Sequence, residues 1–91
     1  PALLLKKLHG KYPDWLVCMI SSQTRHYQPD VDELIRANDS DFKESGLHSE
    51  SVIRVERLAV MEESSLLGEI GSISPERLKR INDHLVNWLS Q

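Results

Sequence analysis

Residues 51–61, SVIRVERLAVM, decide how this chain is read. The run is rich in Val and Ile and alternates between apolar and polar positions, the mark of a β-strand. Strict alternation puts Arg54 and Glu56 side by side on one face, with Ile53, Val55, Ala59 and Met61 on the other. Two residues apart on a strand, the guanidinium and the carboxylate start roughly 7 Å apart at the backbone, near enough to act on one phosphate. The same pair also reads as a same-face or cross-strand ion pair on a solvated sheet.

Upstream, NDSDFKESGL (38–47) reads as a turn or a single helical turn closed by Gly46, with Phe42 and Leu47 anchoring it to the core. A short strand is expected around Glu33–Ala37, after a polar loop, TRHYQPD (24–30), that carries Arg25, His26 and Tyr27. DWLVCMISSQ (14–23) is almost continuously apolar until its polar end, the pattern of a central strand buried on both faces. Trp15, Val17, Met19, Ser21 and Gln23 share one side of it; Leu16, Cys18, Ile20 and Ser22 share the other. PALLLKKL (1–8) is a first strand that tolerates Pro1 because the proline stands at its start, and HGKYPD (9–14) is the turn that follows.

Downstream, residues 62–65 form a turn and LLGEIGSI (66–73) reads as another short strand, interrupted by glycines. The last element is a helix over about 75–90. Ser74 is its N-cap, Pro75 takes the first helical position and Glu76 suits the positive end of the dipole. Leu78, Ile81, Leu85 and Trp88 recur at helical spacing and give it one apolar face. His84, with Arg77 and Lys79 for company, is expected on the exposed face, and His9 and His48 are expected on the surface.

The chain has 91 residues, enough for one domain with a modest core, 1–91. At 40% hydrophobic and 27% charged, it has the composition of a soluble globular protein, and no apolar run approaches the roughly 20 residues needed to span a bilayer. A single cysteine, Cys18, makes no internal disulfide and no zinc site; its apolar surroundings mark it as a core residue, and a reducing, cytoplasmic setting fits best. The net charge is −3, whereas a nucleic-acid binder usually carries a basic balance. That acidity is local. Residues 30–44 hold Asp30, Asp32, Glu33, Asp39, Asp41 and Glu44 against Arg36 and Lys43, and without them the rest is slightly basic.

Other chemistries find little support. The four glycines at 10, 46, 68 and 71 are scattered and build no phosphate loop. A thiol inside an apolar run is inert as a nucleophile. His26, Asp30 and Asp32 lack any recognised ligand spacing, so no metal is expected. Trp15 and Trp88 read as core rather than as base-stacking platforms.

In order and spacing, several segments resemble the MazF/PemK-type toxin endoribonuclease family. PALLLKK is similar to that family's early strand, which reads Arg-Pro-Ala or Arg-Pro-Val followed by aliphatics. DWLVCMISSQ is similar to the next strand, which ends Ile-Thr-Ser-Gln or Ile-Thr-Gly. DFKESGLHSESVIRVERLAVMEESSLLGEIGSISPERLKRINDHL resembles its C-terminal half: the Gly-Leu before the strand, the Arg-x-acid pair, the Ile-Gly and the capped last helix.

The resemblance implies an α+β, mainly β fold: an SH3-like antiparallel barrel of MazF/PemK/CcdB type with an amphipathic C-terminal helix. It implies a homodimer that cleaves single-stranded RNA, usually mRNA, without a metal or other cofactor, and that a cognate antitoxin suppresses by occupying the RNA groove. Glu56 stands where one branch of the family places an acid proposed as the base. Arg54 stands where that branch places an arginine proposed as acid or phosphate stabiliser. Ser21 stands where many members bind the reacting phosphate through a threonine hydroxyl. Gln23 and Arg25 would lie near the groove as RNA contacts. The family's arginine before the Pro-Ala step would precede Pro1, with roughly 20–25 residues of strand and loop before it, so the resemblance implies a barrel partial at its N-terminus. The alternative reading is a toxin-like module without catalysis, used for dimerisation or for capturing a peptide.

Overall fold

A computed structural model describes residues 1–66 and 71–91. Strand β1 (Ala2–Lys7) leads through a turn to β2 (Asp14–Ser21); β3 (Glu33–Ile35), the single helical turn α1 (Phe42–Ser45), the long strand β4 (Ser51–Glu62) and the helix α2 (Pro75–Leu89) follow. The strands form one antiparallel sheet in the order β1-β2-β4-β3, curled into a half-barrel with α2 beside it. This is the mixed α and β architecture that the sequence implies.

Register partners share a face, so the ladder sorts the side chains. Leu3 pairs with Cys18, Cys18 with Leu58, and Ile20 with Ile53. These residues meet Val55, Ile81 and Leu85 in the core, with Leu5, Ile73 and Trp88 packed around them. Cys18, Ile53 and Val55 are wholly buried. Burial, and secondarily the charge of Asp32, pushes the Cys18 thiol up to about 12. Thiol reagents are therefore expected to leave Cys18 untouched at pH 8 in native protein and to label it as urea unfolds the chain. Labelling followed by mass spectrometry checks this.

Simple alternation fails in the middle of β4. Cys18 pairs with Leu58 but the next residue, Met19, pairs with Arg54, which leaves Val55, Glu56 and Arg57 with no partner on β2. An odd number of extra residues inverts the facing of everything beyond. Leu58 therefore joins the core, while Ala59 and Met61, expected beside Ile53 and Val55, pair with Val17 and Trp15 on the opposite face. Strand β2 is central, as expected, but full burial is confined to Val17 and Cys18 in its middle.

Other elements are shorter than their sequence patterns. Strand β3 stops at Ile35 rather than Ala37, because side chains take the next two amides: Arg36 N–H donates to Asp39 at 2.9 Å and Ala37 N–H to Glu50 at 3.0 Å. Gly46 ends α1 in the left-handed conformation at φ 72°, a position that suits glycine. Part of the strand expected over 66–73 lies outside the described residues; Gly71–Ile73 form no strand. There Ser72 N–H donates to the Glu44 carbonyl at 2.8 Å, and a Cβ on Gly71 would lie 2.2 Å from that same oxygen.

Helix α2 begins as its sequence dictates. Ser74 Oγ accepts the Arg77 N–H at 3.1 Å, and Pro75 opens the first turn. Its buried stripe, however, is Arg77, Ile81 and Leu85, while Leu78 is 36% exposed. Arg77, expected on the surface, lies buried. Its five N–H groups meet Asp41 Oδ2 (2.8 Å) and Oδ1 (3.1 Å), Asp39 (3.0 Å), Glu33 (3.2 Å) and the Leu34 carbonyl (3.0 Å). One guanidinium thus ties α2 to β3 and to the segment that enters α1.

Candidate functional site

Strand β2 ends at Ser21 on the face opposite Cys18, Ile20 and Ile53, the face that its partner Val52 and the neighbouring pair Met19–Arg54 share. Ser21 and Arg54 are diagonal neighbours on that ladder, a relation that sets positions about 7–8 Å apart on one face. Beyond Ser21 the chain turns into a short 3₁₀ helix, Thr24–His26. Ser21 Oγ accepts the Gln23 N–H at 3.0 Å, and the Arg25 guanidinium donates to the Gln23 carboxamide. Ser21, Gln23 and Arg25 are thereby linked in a chain of hydrogen bonds at the end of β2. Arg54 is half-buried and forms neither an ion pair nor a side-chain hydrogen bond among the described residues.

Glu56 has a partner on the helix. It sits in the stretch of β4 that has no partner on β2, and its Oε2 lies 2.7 Å from His84 Nε2 on α2. The ion pair between Arg54 and Glu56 that a solvated sheet would offer does not form. His84 is no bystander on an open face, as its charged neighbours had implied: its side chain is 25% exposed and its ring touches the carboxylate of the candidate base. Spacing held the signal, since His84 lies three residues after Ile81 and four before Trp88 on the packed side of the helix.

A cleft of about 330 Å³ opens between α2 and the segment from Tyr27 to Glu33. Tyr27, Asp30, Asp32, Glu33, Arg80 and His84 line it together with Val31, Val55 and Ile81. Asp30 holds a left-handed φ of 69°, and Asp32 accepts the Gln28 N–H at 3.1 Å. Among the described residues, no group of three His, Cys, Asp or Glu side chains is placed to hold a metal ion.

Three acids of the 30–44 stretch have their charge answered within the fold. Glu33, Asp39 and Asp41 surround Arg77, and Glu33 also takes Arg80 at 2.9 Å. Hydrogen bonding from Arg77 is the main reason that the Asp41 carboxyl titrates at about 2, below its ordinary value of 3.8. These acids are committed to holding α2 in place.

A family model described as PemK-like, MazF-like toxin of type II toxin–antitoxin system matches residues 1–89. The chain belongs to this toxin family. No curated protein matches it. Membership identifies the protein as the toxin of a type II pair and implies a cognate antitoxin. No helix among the described residues is long and apolar enough to cross a membrane.

Proposed function

We propose that this toxin is a metal-independent endoribonuclease that cleaves single-stranded RNA, mRNA above all, in the cytoplasm. Glu56 takes the proton of a ribose 2′-hydroxyl, and the freed oxygen attacks the adjacent phosphorus. The bond from phosphorus to the 5′ oxygen breaks, and that oxygen leaves with a proton from water, the hydroxide so formed taking back the proton that Glu56 holds. Arg54 and the Ser21 hydroxyl bind the phosphate and stabilise the charge that builds on it in the transition state. Gln23 and Arg25 contact the flanking RNA. The protein acts as a homodimer, and the antitoxin silences it by covering the RNA groove.

The observation that carries this reading is Arg54 standing diagonal to Ser21 with no carboxylate partner among the described residues. A guanidinium already neutralised by Glu56 would have little left for a phosphate, and this one is not so engaged. The test is cleavage of mixed-sequence single-stranded RNA in excess EDTA. Fragments ending in 2′,3′-cyclic phosphate and 5′-hydroxyl are expected, because the displaced bond lies on the 5′ oxygen. Intact RNA, or cleavage that EDTA abolishes, overturns the proposal.

A further inference from the structure

We propose that His84 is a positioning residue for the reaction just described: its ring holds Glu56 by Oε2 and leaves Oε1 to take the 2′-hydroxyl proton. The inference rests on the ribonuclease reading and adds to it a residue from the helix. Three features of the structure converge on it.

The first is that the sheet does not fix Glu56. Residues 55–57 have no partner on β2, and β3 pairs with β4 only through Ser51, Val52 and Ile53. A carboxylate on an unpaired stretch of strand is free to swing unless something else holds it. The second is that the holder is rigid. His84 lies beside buried Leu85 and three residues after buried Ile81, on a helix pinned two turns earlier by Arg77. The third is that the contact is short and partly withdrawn from water. The separation is 2.7 Å, with the two side chains 25% and 32% exposed. Such a bond is stronger than one competing fully with solvent.

Chemistry assigns the proton. An ionised carboxylate only accepts, so Nε2 must carry the hydrogen whenever Glu56 is charged, and Nδ1 is the ring's remaining nitrogen. A base held by one oxygen keeps the other aimed, which is how an orienting partner raises the rate without touching the substrate. The titratable and charged groups around His84 are Tyr27, Asp30, Asp32 and Glu33 across the cleft and Arg80 on its own helix. Arg80 is engaged by Glu33 at 2.9 Å and Asp83 by Lys79 at 2.7 Å, while Arg54 and Arg57 flank Glu56 on β4.

The experiment measures kcat, KM and the pH–rate profile on single-stranded RNA in EDTA for the parent, Glu56→Gln, His84→Ala and His84→Gln. His84→Ala is expected to lower kcat by about 10- to 100-fold, the scale of losing an orienting partner, and to change KM by less than about 3-fold. His84→Gln keeps an N–H donor at similar reach without a titrating ring. It is expected to recover most of kcat while its pH profile departs from the parent's. NMR of the His84 ring gives a readout apart from activity: its Nε2–H proton should be downfield and slow to exchange with water in the parent, and lost in Glu56→Ala, where the accepting oxygen is gone.

Suppose the parent cleaves RNA and Glu56→Gln does not, yet both His84 variants keep the parent's kcat and pH profile. The positioning role is then wrong and the ribonuclease reading stands. An Nε2–H signal unchanged in Glu56→Ala overturns the positioning role as well. A parent that leaves RNA intact defeats the ribonuclease reading itself and takes this inference with it. Should His84→Ala fail to fold, His84→Gln and the Nε2–H signal decide.

Discussion

Replacing Arg77 by alanine is expected to cost about 3–5 kcal/mol, the range for breaking a buried charge pair from one side. The cost comes from what is left behind. Asp41 is 5% exposed and would lose both of its contacts with the guanidinium, at 2.8 and 3.1 Å, and the Leu34 carbonyl would lose its donor at 3.0 Å. Small domains are stable by only about 5–15 kcal/mol, so a loss of this size removes much of what holds the fold. A urea titration followed by tryptophan fluorescence should show the midpoint falling by a large fraction, or no native baseline at all. Arg77→Lys keeps the charge but not the planar fork, and should recover part of the loss without restoring it. A midpoint within experimental error of the parent's for Arg77→Ala would show that the cluster is decorative.

The same cluster sets the acid limb of stability. Asp41 titrates at about 2 in the folded protein against an ordinary value of 3.8. A depressed carboxyl contributes stability that is present above its unfolded value and is lost as pH falls through its folded one. The contribution, about 2 kcal/mol, should therefore be complete above pH ~4 and decay between ~4 and ~2. Arg77→Ala removes the largest cause of the depression, so the stability gap between parent and variant should narrow over that same interval. Urea midpoints from pH 5 to pH 2 read it directly.

Most of the fold was legible because its determinants are local. Ser74 and Pro75 announce the start of α2, Gly46 announces the end of α1, and the long Val/Ile run marks β4. What stayed hidden depends on contacts between distant parts of the chain. An arginine on an amphipathic helix reads as solvent-exposed, and Arg77 becomes a core residue only because Glu33, Asp39 and Asp41 converge on it from 36 to 44 positions upstream. Spacing did hold a hint: Arg77, Ile81 and Leu85 repeat every four residues, whereas Leu78 stands about 100° further round the helix.

The site divides in the same way. The end of β2 was readable, because a buried strand closing in polar residues puts Ser21, Gln23 and Arg25 at one edge by chain order alone. The relation of Arg54 to Glu56 was not. No glycine or proline marks the unpaired stretch at 55–57, so strict alternation gives no sign that Glu56 meets the helix. That irregularity brings Glu56 to the helix and against His84, whose place on the packed side is marked in the sequence only by its spacing from Ile81 and Trp88.

Glu56→Gln is the change expected to have the largest effect on activity. The carboxamide has nearly the same shape as the carboxylate, and its oxygen still accepts from His84, so the unfolding free energy from urea titration should stay within about 0.5–1 kcal/mol of the parent's. What it loses is the capacity to take a proton. General-base catalysis is worth about 10²–10⁴ in rate, and kcat on single-stranded RNA should fall by that factor while KM moves little. Arg54→Ala removes charge stabilisation at the phosphate and should cost about 10²–10³. Two groups acting on one transition state do not add, so the double variant should be only slightly slower than the worse single one. Arg57→Ala is the control. Arg57 is an exposed cation on the same strand, three residues from Arg54, and its loss should leave cleavage within about 3-fold if RNA attraction at large is not what Arg54 supplies. Equal losses in Arg54→Ala and Arg57→Ala, both relieved by lowering the salt, would assign Arg54 to general attraction of the RNA backbone. Wild-type kcat in Glu56→Gln would remove Glu56 from the chemistry and leave the proton to another group.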